Sequence, residues 1–280
     1  MTVERIAAFA DAGKGGNPAG IVIADQFLPE PEMRRIAAEV GYSETAFAIP
    51  DGAADRWRVR YFSPESEVPF CGHATIALGA ALARHAGDGR YGLRLNDAEI
   101  AVEARVTGSG YSAALQSPPT RSRPADPALV DKALALFDYA VEQLDPALPP
   151  AEIHAGADHL VLALRDRADL AAMSYDLDAG RALMREYGLV TIMLVHIRGD
   201  TDFDVRNAFA SGGVLEDPAT GAAAAAFAGY LRDLGWPHHN RIRITQGEDM
   251  GARSVIEADF SDEPGSSIRV SGATRDIGHP

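Results

Sequence analysis

Cys71 is the only cysteine among 280 residues, so no intramolecular disulfide can form and nothing calls for an oxidising compartment. Long apolar runs are missing too. No stretch reaches the roughly twenty apolar residues that a helix needs to cross a bilayer. The opening Met1-Thr2-Val3-Glu4-Arg5 has no basic segment leading into an apolar run, so it does not read as a secretory leader. These absences point to the cytoplasm and away from membranes. Positive charge is scarce: 26 Lys and Arg face 40 Asp and Glu, a net charge of −14. Nucleic-acid binding rests on clustered basic residues that neutralise phosphates, and an acidic field repels a polyanion. The same field gives an anionic substrate no long-range attraction, so a carboxylate would have to be held by local amides.

Several chemistry-bearing patterns are also lacking. Gly13-Lys14-Gly15-Gly16 does not have the spacing of a phosphate-binding loop, and no Gly-x-Gly-x-x-Gly follows a strand. Gly41-Tyr42-Ser43-Glu44-Thr45 is no nucleophile elbow, because a glycine would be needed at Thr45. His238 and His239 are adjacent and cannot both face one metal from a regular helix. No metal and no cofactor are expected.

What is present is the composition of a soluble globular protein, 46% hydrophobic and 24% charged, long enough for two ordinary domains. The proline-rich run from Gln116 to Pro127 cannot continue a helix or a central strand, which makes it the best boundary. The segments on either side share an order of signals. The first reads as strand (Gly20–Ile23), helix (Pro31–Val40, ending at Gly41), strand (Thr45–Ile49), strand (Trp57–Phe62) and a loop. Cys71-Gly72-His73-Ala74-Thr75 then opens the small-residue helix Ile76–Ala83. The second reads as strand (His159–Leu164), helix (Ala179–Tyr187, ending at Gly188), strand (Val190–Val195), strand (Asp204–Phe209) and a loop. Asp217-Pro218-Ala219-Thr220-Gly221 then opens Ala222–Leu231. This shared order predicts an internal duplication. A helix with small residues all round has no polar face, so each alanine-rich helix is expected to lie buried and wrapped by sheet.

The two loops before those helices are the candidate chemistry. A helix N-terminus offers unpaired N–H groups and partial positive charge to a carboxylate, and Gly72 and Gly221 allow close backbone approach. Either loop alone reads as a tight turn with an ordinary cap; the pair, facing one cleft, favours function.

Six strings, in order, resemble the phenazine-biosynthesis isomerase (PhzF-like) family. They are Gly15-Gly16-Asn17-Pro18-Ala19, Ser43-Glu44-Thr45-Ala46-Phe47, Arg60-Tyr61-Phe62-Ser63-Pro64, Glu67 to Thr75, Asp217-Pro218-Ala219-Thr220-Gly221 and Gln246 to Gly251. The resemblance implies a diaminopimelate-epimerase-like α+β fold: two pseudo-symmetric halves, each a curved, mostly antiparallel sheet around a central alanine-rich helix. It also implies a homodimer, and a last strand, Ser267 to Ile277, that returns to the first half. The halves are then residues 1–118, completed by 267–280, and residues 119–266.

A lone glutamate is usually solvated surface. Glu44 instead lies between Gly41-Tyr42-Ser43 and the apolar strand Thr45–Ile49, and its match in the second half is Thr191. The resemblance makes Glu44 the general acid/base, with His73 and Asp217 contacting substrate and assisting proton transfer. A carboxylate in a dry cleft can both accept and return a proton. Gly72, Gly221 and Ala222 are the substrate-binding positions. Ala222 replaces the serine usual in the family, which removes a hydroxyl donor and puts the phenazine-pathway substrate in doubt. Related cofactor-free racemases use two opposed cysteines; Pro218 stands where the second would fall, and no other cysteine exists, so counting excludes that chemistry. Cys71 reads as a small buried residue.

The expected activity is a cofactor-free proton shift on a small carboxylate-bearing or cyclic metabolite, with the halves closing about the proline-rich segment. A lyase that expels water after the same abstraction, and a non-catalytic metabolite-binding homologue, are the alternatives.

Overall fold

The computed structural model describes residues 2–108 and 110–278. The chain forms two compact units: residues up to Gln116 with those from Ser271 onward, and residues Ser117–Val270. Among the described residues no helix is long and apolar enough to cross a membrane.

In the first unit β1 (Glu4–Ala8) pairs antiparallel with β2 (Asn17–Ile23). Helix α1 (Glu30–Val40) then crosses over, so that β2 runs parallel to β3 (Thr45–Asp51). Glu30 and Glu32 in the first turn of α1 suit its positive end, and Gly41 closes it with φ 72°, a left-handed conformation that favours glycine. β4 (Ala53–Phe62) returns antiparallel to β3 and is followed by the short β5 (Glu67–Val68). Helix α2 (Gly72–Ala86) leads to β6 (Gly89–Arg94), parallel to β4, and then to β7 (Glu99–Thr107) and β8 (Gly110–Pro119).

Alternation along the strands sorts this sheet's two faces. Val22, Phe47 and Phe62 pack against Met33, Ile36 and Ala37 of α1. On the other face Tyr61 reaches Thr75 of α2. Helix α2 is buried continuously from His73 to Ala83, because its alanines let strands approach on every side. A Cβ at Gly79 would lie 2.7 Å from Val102 Cγ2 and 3.1 Å from Ala113 Cβ, so only glycine fits there without displacing the strands.

In the second unit β9 (Arg121–Pro124) pairs with β10 (Ala151–His154), on the far side of helix α3 (Pro127–Phe137). β10 pairs antiparallel with β11 (Asp158–Leu164). The short α4 (Arg167–Ala171) and α5 (Leu177–Tyr187) cross over to β12 (Thr191–Ile197), parallel to β11. Asp176 caps α5 by accepting from Ala179 N at 2.8 Å. β13 (Asp202–Ala208) and the short β14 (Glu216–Asp217) precede helix α6 (Gly221–Asp233). β15 (Arg241–Gln246) runs parallel to β13, and β16 (Ser254–Asp259) pairs with β15. Strands β11 and β12 are buried on both faces. Leu160, Leu162, Leu164, Ile192 and Leu194 join the core made with α3 and α5. Helix α6 is buried from Ala223 to Arg232.

Strand β17 (Ser267–Asp276) carries residues of both units. Its first-unit part pairs antiparallel with β1, Ile6 opposite Asp276 and Ala8 opposite Thr274. Ser112 Oγ of β8 donates to Gly272 O, and Thr274 Oγ1 donates to Tyr111 O.

Each unit therefore repeats one pattern: antiparallel pair, parallel crossover, antiparallel return, two-residue strand, buried helix, parallel strand. One ion pair marks the register. In the first unit Phe62 lies opposite Glu67 and in the second Ala208 lies opposite Glu216, and the arginine two residues before each grips that glutamate. Arg60 donates to Glu67 through Nε (2.8 Å) and Nη2 (2.6 Å). Arg206 donates to Glu216 through Nε (3.1 Å to Oε1) and Nη2 (2.6 Å to Oε2). In this register Glu44 corresponds to Thr191, Val68 to Asp217 and His73 to Ala222, while Cys71 corresponds to Thr220 and not to Pro218 as the sequence suggested.

The proline-rich segment is built largely of strand. Gln116–Pro119 end β8 and Arg121–Pro124 form β9, so the change of unit, between Gln116 and Ser117, falls inside a strand. The prolines sit at the last positions of these strands, where a missing N–H costs no interior ladder bond.

Candidate functional site

In the first unit the chain leaves α1 at Gly41 and enters β3 at Thr45, and Glu44 is the last residue before the strand. Gly20 N donates to Glu44 O at 3.2 Å, which extends the parallel ladder by one bond and fixes the glutamate's backbone. Its side chain is 18% exposed. Oε2 accepts from Cys71 Sγ at 3.4 Å and lies 3.4 Å from His73 Nε2. Sγ is 3.3 Å from His73 Nδ1, and Ser43 Oγ is 3.3 Å from Nε2. Cys71 and His73 are buried, 7% and 8% exposed.

Cys71 is the residue at which α2 begins, and its side chain makes no capping bond to the helix. A buried chain secures the helix start instead. Thr75 Oγ1 donates to Cys71 O at 2.7 Å, so Tyr61 Oη, 2.7 Å away, gives its proton to Thr75. Burial pushes the Tyr61 phenol far above its ordinary range, which keeps that proton in place. Beside the cluster Phe70 is exposed, and a Cβ added at Gly72 would meet nothing nearer than the Phe70 ring at 4.0 Å. Packing does not require glycine there.

The second unit builds its helix start differently. Thr220, where α6 begins, makes no side-chain cap; its Oγ1 donates to Asp217 Oδ2 at 2.5 Å. Gln246, the last residue of β15, holds this corner together. Its Nε2 donates to Asp217 O (2.6 Å) and Thr220 Oγ1 (3.0 Å), while its Oε1 accepts from Thr220 N (3.2 Å) and from Asn207 Nδ2 (3.1 Å). Asn207 Oδ1 accepts from Thr191 Oγ1 at 3.1 Å, and Thr191 Oγ1 lies 2.7 Å from His159 Nδ1. Thr191 has one proton and gives it to Asn207, so Nδ1 of His159 must be the donor to Thr191. Burial lowers the His159 pKa to about 4, so the imidazole is neutral. Donation thus runs one way, from His159 through Thr191, Asn207 and Gln246 to Asp217. His159, Thr191 and Asn207 are 0% exposed and Gln246 is 1% exposed, so each bond is a substantial constraint.

The structure gathers Glu44, His73 and Gly72 around Cys71 in one unit, and Asp217, Gly221 and Ala222 at the start of α6 in the other. Sequence reasoning passed over Ser43, His159, Asn207 and Gln246. Gln246 lies within one of the six family-like strings, which is the signal that could have raised it. His159 and Asn207 lie in apolar strands and carry no sequence signal. Among the described residues one group has metal-ligand character, Glu44, Cys71 and His73, with donor atoms within 4.8 Å of one another.

Residues 6–275 match the family described as phenazine biosynthesis-like protein. The "uncharacterized isomerase YddE" of Escherichia coli O157:H7 is 30% identical over 288 residues, covering 97% of this chain and 94% of that one. The trans-2,3-dihydro-3-hydroxyanthranilate isomerase of Pseudomonas fluorescens is 30% identical over 275 residues, covering 95% and 94%. The crystal structure of a Bacillus anthracis phenazine biosynthesis protein of the PhzF family superposes with a TM-score of 0.85 at 21% identity, over 99% of this chain and 98% of that one. The fold is diaminopimelate-epimerase-like, as the duplicated topology and the two buried alanine-rich helices require. The chain belongs to the phenazine biosynthesis-like (PhzF-like) family and is an isomerase of that family.

Proposed function

We propose that the protein catalyses a cofactor-independent proton shift on a small cyclic, carboxylate-bearing metabolite, with Glu44 as the general acid/base. The observation that carries this reading is the placement of Glu44. It is a carboxylate mostly withdrawn from water, with its backbone held by the β2–β3 ladder and one oxygen shared between Cys71 and His73. A group so fixed can take a proton from one carbon and return it to another without a second base. His73, 3.4 Å from that oxygen, assists the transfer and orients the carboxylate.

The substrate carboxylate is assigned to the backbone amides at Gly72, where the start of α2 favours negative charge. Charge developing in the transition state then meets preorganised donors. The exposed ring of Phe70 offers an apolar face to a cyclic substrate. In the second unit Asp217, with Gly221 and Ala222 beside it, is kept as a proposed substrate contact, its carboxylate and carbonyl held by Thr220 and Gln246. Ala222 carries no hydroxyl, so the proposed substrate is a small cyclic carboxylate that is not tied to the phenazine pathway. A homodimer in the cytoplasm completes the reading.

The test is turnover of such compounds in deuterated water by the wild-type protein and by Glu44→Gln. An isomerase of this kind gives product carrying deuterium at the reprotonated carbon, with no loss of water. Loss of water would mark a lyase, and undiminished turnover by Glu44→Gln would remove the glutamate from the mechanism.

A further inference from the structure

The triangle formed by Cys71, His73 and Glu44 has the dimensions of one face of a tetrahedral metal site. Its edges are 3.4 Å from Sγ to Glu44 Oε2, 3.8 Å from Sγ to His73 Nε2, and 3.4 Å from Oε2 to Nε2. A zinc ion bonded at about 2.3 Å to sulfur and about 2.0–2.2 Å to nitrogen and oxygen separates its ligands by roughly 3.3–3.7 Å, a range that holds both 3.4 Å edges and that the 3.8 Å edge slightly exceeds. The donor set, thiolate, imidazole and carboxylate, is the borderline-soft set that zinc and cobalt prefer over magnesium or calcium. The residues are already ordered by the β2–β3 ladder and by the Tyr61–Thr75–Cys71 chain, so binding need not assemble them.

We propose that Glu44, Cys71 and His73 bind a single borderline-soft divalent cation such as Zn²⁺, with a fourth position left to water or a ligand, and that this ion is an inhibitor and not a cofactor. Binding replaces the Cys71–Glu44 hydrogen bond by two metal bonds, and the thiol proton passes to solvent. Inhibition follows because the ion occupies the carboxylate oxygen that would take the substrate proton. That consequence rests on the proposed role of Glu44, whereas the binding itself does not. Family membership and isomerase activity do not require such a site, since a proton shift at Glu44 uses no metal.

Cobalt makes the test specific. Only a thiolate gives Co²⁺ an intense near-ultraviolet charge-transfer band, and Cys71 is the only cysteine. Chelator-treated full-length protein is titrated with Co²⁺ at neutral pH. The expected result is one charge-transfer band saturating at one ion per chain, visible bands of a four-coordinate ion, and bleaching on addition of Zn²⁺. Cys71→Ser, with its fold checked by circular dichroism and thermal melting, should lose the charge-transfer band entirely. His73→Ala and Glu44→Gln should each bind at least about tenfold more weakly, as losing one ligand of three demands. No charge-transfer band in the folded wild type at saturating Co²⁺ overturns the site. Visible bands without it overturn it as well, since they place the ion on surface imidazoles and carboxylates. Unaltered affinity in both His73→Ala and Glu44→Gln does the same. None of these readouts depends on turnover, so they stand or fall separately from the acid/base role.

Discussion

His73 Nε2 lies 3.4 Å from Glu44 Oε2, joining the residue just before β3 to the first turn of α2 across 29 positions of sequence. The carboxylate thereby has an imidazole nitrogen within ion-pairing distance. General acid/base groups contribute typically about 10²–10⁴-fold, so Glu44→Gln should lower turnover by about that factor. His73→Asn, which keeps a polar side chain but loses the ring, should cost about tenfold or more. Solvent-deuterium incorporation measured by mass spectrometry reads both.

Gln246→Ala should damage the site without touching its chemistry. It removes the acceptor of Thr220 N and the donor to Asp217 O, leaving Asn207 with a buried unmatched amide. The stability cost is about 1–3 kcal/mol for the orphaned groups. If the chain orients Asp217 for substrate, KM rises while Glu44-dependent deuterium exchange persists. An unchanged KM in a folded Gln246→Ala protein would confine the network to a structural task.

His159 gives a stability that depends on pH. Its folded pKa is lowered to about 4 from the ordinary 6.5. Between these values the unfolded chain binds the proton and the folded one does not, so stability falls as pH drops through the window and levels off below about 4. The slope from this group is about 1.4 kcal/mol per pH unit. Urea unfolding of wild type and His159→Gln at pH 7, 5.5 and 4.5 should show the variant with the shallower loss. Parallel curves would mean that His159 is protonated in the folded state.

The two repeated arginine–glutamate pairs differ in burial, and their substitutions should differ accordingly. Arg206 and Glu216 side chains are 11% and 5% exposed, against 19% and 22% for Arg60 and Glu67. Arg206→Met strands a buried carboxylate, at about 3–5 kcal/mol. Arg60→Met leaves Glu67 nearer water and still accepting from Asn96 at 2.7 Å, and should cost less. Denaturant midpoints compare them directly, and equal losses would contradict the burial argument.

Gly79→Val tests the wrapping of α2. The added atoms would drive into Val102 and Ala113, and overpacking of this kind costs about 1–3 kcal/mol. A lowered melting temperature is expected, and an unchanged one would show that the strands yield freely.

Much of the architecture was legible in the chain because it rests on local periodicity. Alanine all round a helix predicts burial, and α2 and α6 are buried along nearly their whole length. Gly41 and Gly188 end α1 and α5 where the pattern stops, both left-handed, at φ 72° and 68°. The strands in the proline-rich run were not legible for a local reason: proline forbids interior ladder bonds but is tolerated where a strand ends, and sequence cannot tell an end from an interior.

The duplication, the buried helices, the absence of a second cysteine and the identity of the acidic residue before β3 can all be read from the order of the residues. Periodicity, counting and motif order are properties of the chain alone. Folding brings Cys71 and His73 to one oxygen of Glu44, and makes Gln246 tie Asp217 to a buried histidine 58 positions earlier in the chain than Asp217. Those contacts depend on strand register and on side-chain direction at two helix starts, which long-range pairing fixes and local pattern does not.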